Sequence, residues 1–155
     1  MSFAKHVGAH ILTRANFAAA AGETAVNGAA VDLTALPARP NSVRAAVAIQ
    51  FNADSGDSLN VSAIKLQSSA DSGFTTPVDR VTAANVVLTG TTGDTDVNYY
   101  SQTSLDYDLI NHMAVNPTHK WLRVTATPTR SDTTNTTGAV AAVLIFGGQN
   151  QEPKT

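Results

Sequence analysis

Over residues 42–52 every second position is apolar: Val43, Ala45, Val47, Ile49 and Phe51 fall on one face of an extended chain, and Arg44, Ala46, Ala48 and Gln50 on the other. A period of two predicts a half-buried β-strand. Pro37 and Pro40 introduce it, and the turn formers Asn52-Ala-Asp-Ser-Gly-Asp57 close it, which predicts a hairpin to a second strand over 59–67. In that partner Leu59 and Val61 share one face while Ile64 and Leu66 share the other, so the register is expected to change near Ser62-Ala63 through a bulge or a strong twist. Further strands are predicted within 78–89 and 97–110, and over 120–127 and 138–146. The gaps between them are rich in Gly, Pro, Asn, Asp, Ser and Thr. Val26-Asn-Gly-Ala-Ala-Val31 predicts a short strand pair around Asn27-Gly28. Only residues 16–21 read as helical.

Many short strands between turn clusters predict an all-β fold, an antiparallel sandwich or barrel of jelly-roll or tulip-like form. The expected organisation is an extended N-terminal arm over 1–22, a single β domain over 23–148 and a C-terminal tail over 149–155. Gly147-Gly148 is expected to be the exit turn. The last strand is unusual because Val140, Ala142, Leu144 and Phe146 face one way while Ala139, Ala141, Val143 and Ile145 face the other, so both faces are apolar. Such a strand is either central in a packed sandwich or covered on its second side by another subunit. In 120–127, Leu122, Val124 and Ala126 alternate with Trp121, Arg123, Thr125 and Thr127, which places the only Trp on the outer face, as a cover for the sheet edge.

Composition narrows the function classes. The 155 residues are 43% hydrophobic and only 14% charged, against about 25% charged in an ordinary globular chain. A surface this poor in charge suits a protein that covers much of itself with neighbours. Ten Lys and Arg against twelve Asp and Glu leave a formal charge of −2 with no basic cluster, so direct nucleic-acid binding is not expected. With no Cys there are no disulfides, thiolate metal sites or cysteine nucleophiles. No run approaches the ~18 apolar residues of a membrane helix. The N-terminus also lacks a basic lead into a Leu-rich stretch, so a soluble, intracellular product is expected.

The chemistry-bearing residues have ordinary structural explanations. His6 and His10 are four apart, a spacing that would pair them on a helix, but Val7 stands where an HExxH motif has Glu. His112 and His119 flank a turn at Asn116-Pro117 with no third ligand nearby. Asp54 with Asp57, and Asp94 with Asp96, lack the spacing and terminal Glu of a calcium loop and read as turn formers. Asp106 and Asp108 flank Tyr107 on one strand face, the usual setting of a solvated pair. GxSxG, Walker and GxGxxG motifs do not occur. Asn60-Val-Ser62 and Asn135-Thr-Thr137 match the glycosylation pattern, which has meaning only for a secreted chain. No catalytic, metal or cofactor site is expected, and the chain reads as a non-enzyme with no small-molecule substrate.

Two segments carry a resemblance. Ala63-Ile-Lys-Leu-Gln-Ser-Ser-Ala-Asp-Ser-Gly-Phe74 is one; the other is Trp121-Leu-Arg-Val-Thr-Ala-Thr-Pro128 with Gly138-Ala-Val-Ala-Ala-Val-Leu-Ile-Phe-Gly-Gly148. Together they resemble the capsid decoration, or cement, proteins of tailed bacteriophages over the C-terminal two thirds of the chain. That resemblance implies a virion protein made in the bacterial host cytoplasm that sits on the outer capsid surface, braces the shell by bridging capsomers, and has the major capsid protein and copies of itself, as a homotrimer, for partners. Phe3, Val7 and Ile11 of the arm, Val143 and Ile145 of the last strand, and Trp121 are the expected interface residues, with the arm donated as a strand to a neighbouring sheet. The rival readings are another phage subunit (tail, neck or host attachment), a β-sandwich binding module, and a small jelly-roll enzyme. Attachment through sugars would use exposed aromatics, of which Tyr99-Tyr100 is the one pair, and an enzyme would need its histidines to converge with a carboxylate.

Overall fold

The computed structural model describes residues 10–18, 25–36, 40–131 and 137–149, with 10–18 and 148–149 described by their backbone. These residues form an all-β fold of two antiparallel sheets packed as a sandwich. The strands are β1 (His10–Ala18), β2 (Val26–Asn27), β3 (Val31–Asp32), β4 (Pro40–Ala53), β5 (Ser58–Ser69), β6 (Val78–Thr82), β7 (Val86–Thr89), β8 (Val97–Asp108), β9 (Trp121–Arg130) and β10 (Thr137–Gln149), with one α-helix, α1 (Leu109–Val115), and a 3-10 turn at Leu33–Ala35 among the described residues. One sheet has the order β1-β10-β4-β8. In the other, β9 and β5 are central, with β2 and β3 along the free side of β9 and β6 and β7 along the free side of β5.

The period-two pattern is what fills the core. Val43, Ala45, Val47, Ile49 and Phe51 of β4 and Val140, Ala142, Leu144 and Phe146 of β10 point inward, and all are buried. They meet Leu59, Val61, Ile64 and Leu66 of β5 and Leu122, Val124 and Ala126 of β9. The bulge expected in β5 is present: pairing with β9 slips between Ser62 and Lys65, and Ala63 turns to φ 48°. One extra residue there keeps Leu59 and Val61 on the same inner face as Ile64 and Leu66.

Several expectations are corrected. The turn at 54–57 forms, with Gly56 at φ 80°, but β4 and β5 belong to different sheets, so the connection is a sandwich corner instead of a hairpin. Both edges of β4 are taken by β10 and β8, and the 90–96 loop docks onto the corner, with Gly90 N donating to Asp57 O at 2.8 Å and Gly93 N to Ser55 Oγ at 2.9 Å. A side chain at buried Gly90 would collide with the Asp54 carbonyl oxygen and lie 3.1 Å from Ala53 Cβ. Gly90→Ala is therefore expected to lower stability by about 1–3 kcal/mol, read as a reduced urea midpoint at unchanged m-value.

β2 and β3 do not pair with each other around Asn27-Gly28. Both pair with β9, and Gly28 N donates to Val124 O at 2.7 Å, because an open sheet edge offers more backbone partners than a two-residue hairpin could. Asn16, Phe17 and Ala18, expected to be helical, are in β1, while 19–21 lie outside the described residues. The side of β10 away from β4 supplies the ladder that overrides alanine's helical preference. Gly147 and Gly148 continue β10 to Gln149 instead of leaving the sheet, Gly147 pairing with Ser42.

Helix α1 was not expected from periodicity. Asp108 caps it by accepting from Ile110 N at 2.8 Å, and Leu109 and His112, three residues apart, bury one side of its two turns. Asn116, followed by Pro117, ends it.

Candidate functional site

The histidines of the 112–119 segment come together. His112, only 2% exposed, lies with Nε2 2.8 Å from the His119 carbonyl oxygen and Nδ1 3.0 Å from the Tyr107 hydroxyl. A carbonyl can only accept, so the His112 proton is on Nε2 and Nδ1 accepts from Tyr107. His119 Nδ1 lies 3.2 Å from Ser68 Oγ and 3.3 Å from an Arg80 guanidinium nitrogen, and Arg80 Nε donates to Ser68 Oγ at 2.7 Å. This chain of contacts ties α1 to β8, β5 and β6. It has little capacity for nucleophilic chemistry, because Ser68 is fully buried and its oxygen already accepts from Arg80. Burial pushes the His112 imidazolium below its ordinary pKa, opposed by the His119 carbonyl and reinforced by the Arg80 and His119 charges.

The remaining candidates resolve into local structure. Asp54 Oδ1 accepts from Asp96 N at 3.1 Å, and Asp94 Oδ2 accepts from Thr91 N at 2.6 Å and from the Tyr99 hydroxyl, so these aspartates lace two loops together. Asp106 receives both Arg44 Nε and an Arg44 terminal nitrogen, at 2.6 and 3.0 Å, which holds its carboxyl below the ordinary carboxylate range. Among the described residues no group of three His, Asp or Glu is placed to hold a metal ion. His6 lies outside them, and His10 is in a strand, so the helical pairing of the two does not apply to it. Among them, too, no helix is long and apolar enough to cross a membrane.

The outer faces of the two sheets differ. On the β5–β9 sheet, buried Phe74 of the 70–77 loop lies over Arg123, whose guanidinium carbon is 4.2 Å from the ring centroid. Beneath it Arg123 Nε donates to Gln67 Oε1 at 3.0 Å, Gln67 Nε2 to Asp79 Oδ1 at 2.7 Å, and Lys65 Nζ to Asp79 Oδ2 at 2.6 Å. That face is partly roofed by its own chain. Trp121, half-buried, stands on the same side, paired in register with both Asp32 and Ser69, so it has a strand on either flank.

The outer face of the β1-β10-β4-β8 sheet has no such roof among the described residues. Its register sets four rows across the sheet: Ile11, Ile145, Arg44, Asp106; then Arg14, Val143, Ala46, Ser104; then Asn16, Ala141, Ala48, Gln102; then Ala18, Ala139, Gln50, Tyr100. Val143, Ile145, Ala141 and Ala46 are half-buried, while Ala48, Ala139 and Tyr100 are exposed. Beyond the first row, at the α1 end, Ile110 is 58% exposed and borders a shallow groove with Ile145, Gly147 and Asp108. β10 is thus central in its sheet and still carries an open apolar second side.

This face brings together three of the six expected interface positions: Val143, Ile145 and, by register, Ile11. Trp121 is on the opposite side of the sandwich, and Phe3 and Val7 lie outside the described residues. Residues 10–18 of the expected arm pair with β10 of their own chain. Ala46 and Ala48 were legible as the outer side of a strand, but only tertiary pairing sets them beside Val143 and Ala141.

No known protein family matches the chain, and no curated protein does. Among solved structures it is similar to the PBSX exported protein XepA, at 13% identity and a TM-score of 0.40, covering 95% of this chain and 39% of that one. It is also similar to a chain of infectious bursal disease virus, Gx strain, at 9% identity and a TM-score of 0.47, covering 94% and 34% respectively. The Gt strain structure gives 9%, 0.42, 96% and 33%. The chain therefore spans between a third and two fifths of these proteins' length, and similarity at this level is too low to transfer a role.

Proposed function

We propose that this chain is a non-enzymatic structural protein of a virion that binds the outer surface of a phage capsid and stabilises the shell by bridging capsomers, with the major capsid protein and copies of itself as partners. The observation that carries this reading is the outer face built on β10 and β4: an apolar second side on a central strand, Ile145-Val143-Ala141 beside Ala46 and Ala48, on a chain otherwise poor in charge. A sheet needs only one apolar face to fold, and a second one suits a partner. The resemblance of the two C-terminal segments to decoration proteins supplies the kind of partner. The Ser68–His119–His112 contacts, with Ser68 buried, favour a structural part for the histidines.

The test is sedimentation of the purified protein with DNA-filled heads of the phage whose genome carries its gene. The protein is expected to pellet with the heads, to saturate at a fixed ratio to the major capsid protein, and to raise by several degrees the temperature at which the heads release DNA. Protein that remains in the supernatant at saturating head concentration would overturn the capsid reading.

A further inference from the structure

We propose that helix α1 is an acid-released latch, held on the sandwich at neutral pH by an uncharged His112 and freed, with the two sheets still folded, when that imidazole takes up a proton. The latch belongs to the chain by itself and does not rest on the capsid reading.

Little holds the helix. Its seven residues cannot sustain a helix alone in water, so α1 depends on what it buries. Only Leu109 and His112 are buried in it, while Ile110 is 58% and Val115 76% exposed. Met113 is partly buried against the core, but between it, Leu109 and the facing Leu33, Thr34, Leu36 and Pro40 lies a cavity of about 150 Å³. Side chains that line a void have no contact partner on that side. One of the two anchors is therefore titratable, and the other is loosely packed.

Among the described residues no uncommitted carboxylate meets His112. From β8 it faces the Tyr107 hydroxyl, 3.0 Å from Nδ1, and from the turn before β9 the His119 carbonyl, 2.8 Å from Nε2. Behind these, His119 touches Ser68 of β5 and the Arg80 guanidinium of β6. Asp106 and Asp108 line a shallow pocket beside the ring. Asp106, however, is taken by Arg44 of β4, and Asp108 accepts from Ile110 N and from Asn111 Nδ2 at 3.1 Å. Leu33, Thr34, Leu36 and Pro40 bring no charge. Burial accordingly holds the closed ring below its ordinary 6.5, opposed by the His119 carbonyl and reinforced by the Arg80 and His119 charges. Release puts the ring in water, where it binds the proton at its ordinary value. Opening thus takes up one proton, and below about 6.5 the open form gains on the closed one by up to tenfold per pH unit, until the closed value is reached.

The sheets do not depend on α1 for their ladders. β4 is paired by β10 and β8 on its two edges, and β9 is paired along β5. His119 is tied to Ser68 and Arg80, so the 116–119 turn bounds the released segment. Local opening of this kind needs only the least stable unit of a fold to lose its contacts. It adds Leu109 and Met113 to the exposed Ile110 and Val115, which makes an apolar surface that depends on acid.

Hydrogen exchange on the full chain tests the latch, read as protection factors so that the intrinsic pH dependence of exchange is divided out. The amides of 113–116, which the helix ties to carbonyls four residues back, are expected to lose protection between pH 7.5 and 5.0. The loss should approach tenfold for each unit below about 6.5, while the amides of β4 and β10 stay protected. His112→Gln keeps a donor and an acceptor but does not titrate, and its protection at 113–116 should not change with pH. His112→Leu, whose side chain also does not titrate, should give the same flat profile whatever its overall protection. His119→Gln should retain the slope. A flat profile in the parent overturns the proposal, as does a loss shared equally by β4 and β10, which would be global unfolding. A slope that persists in His112→Gln, or that disappears in His119→Gln alone, overturns it by placing the proton elsewhere.

Discussion

Phe51→Ala is expected to lower the stability of the fold by about 3–5 kcal/mol, the range for deleting a large aromatic side chain from a core that cannot close over the gap. Phe51 is 0% exposed on the inner side of β4 and among the largest fully buried side chains of the sandwich. Its neighbour Gln50 points to the outer face and is exposed, so Gln50→Ala should change stability by no more than about 0.5 kcal/mol. Urea unfolding of the pair measures the difference directly, and a larger loss for Gln50→Ala than for Phe51→Ala would mean that the inner and outer faces of β4 are assigned the wrong way round.

The second large effect concerns His112. Replacing it with leucine keeps most of the volume but leaves the Tyr107 hydroxyl and the His119 carbonyl without their partner, at a cost of about 1–3 kcal/mol for each group that water does not reach. The parent carries a matching pH signature. Because burial holds the folded pKa of His112 below its ordinary 6.5, the unfolded chain takes up the proton first. This contribution is therefore fully present above about 6.5 and is lost as the pH falls from there toward the folded value. The carboxylates act in a separate window. Asp32, Asp71, Asp79 and Asp106 all have folded pKa values below the ordinary 3.8, so their contribution is present above that value and is lost as the pH falls through the lower folded values. Urea midpoints measured from pH 7.5 to 4.5 should fall for the parent, and His112→Leu should remove the part of that decline due to His112. An unchanged slope in the variant would mean that the imidazole is not the group that titrates.

The failures of sequence reading share a physical origin. A turn such as 54–57 shows its conformation locally, through Gly56 and the flanking aspartates, but not which strand lies beside β4. That is decided by β10 and β8, 80 or more and about 50 residues away along the register, through ladder hydrogen bonds and core packing together. Helix α1 escaped because two turns are too short to show a 3.6-residue period. The signals present were local: Asp108 as a cap and Asn116-Pro117 as a stop. The Ser68–His119–His112 chain could not be read in advance because its members come from different strands and loops, joined only when β5, β6 and β9 pair.

The sequence by itself determined the alternation that makes β4, β9 and β10 strands, the inner residues of β4 and β9, the change of register at Ser62-Ala63, the turn aspartates, and a surface poor in charge. These are local or compositional properties, carried by the two-residue repeat of an extended chain and by side chains that bond their own backbone. Tertiary structure alone decided which strands share a sheet, that one outer face is roofed by Phe74 and its loop while the other is open, and that β10 sets Val143 and Ala141 beside Ala46 and Ala48. Those outcomes depend on pairing between distant segments, where the free energy belongs to the assembled sheet and no single strand carries it.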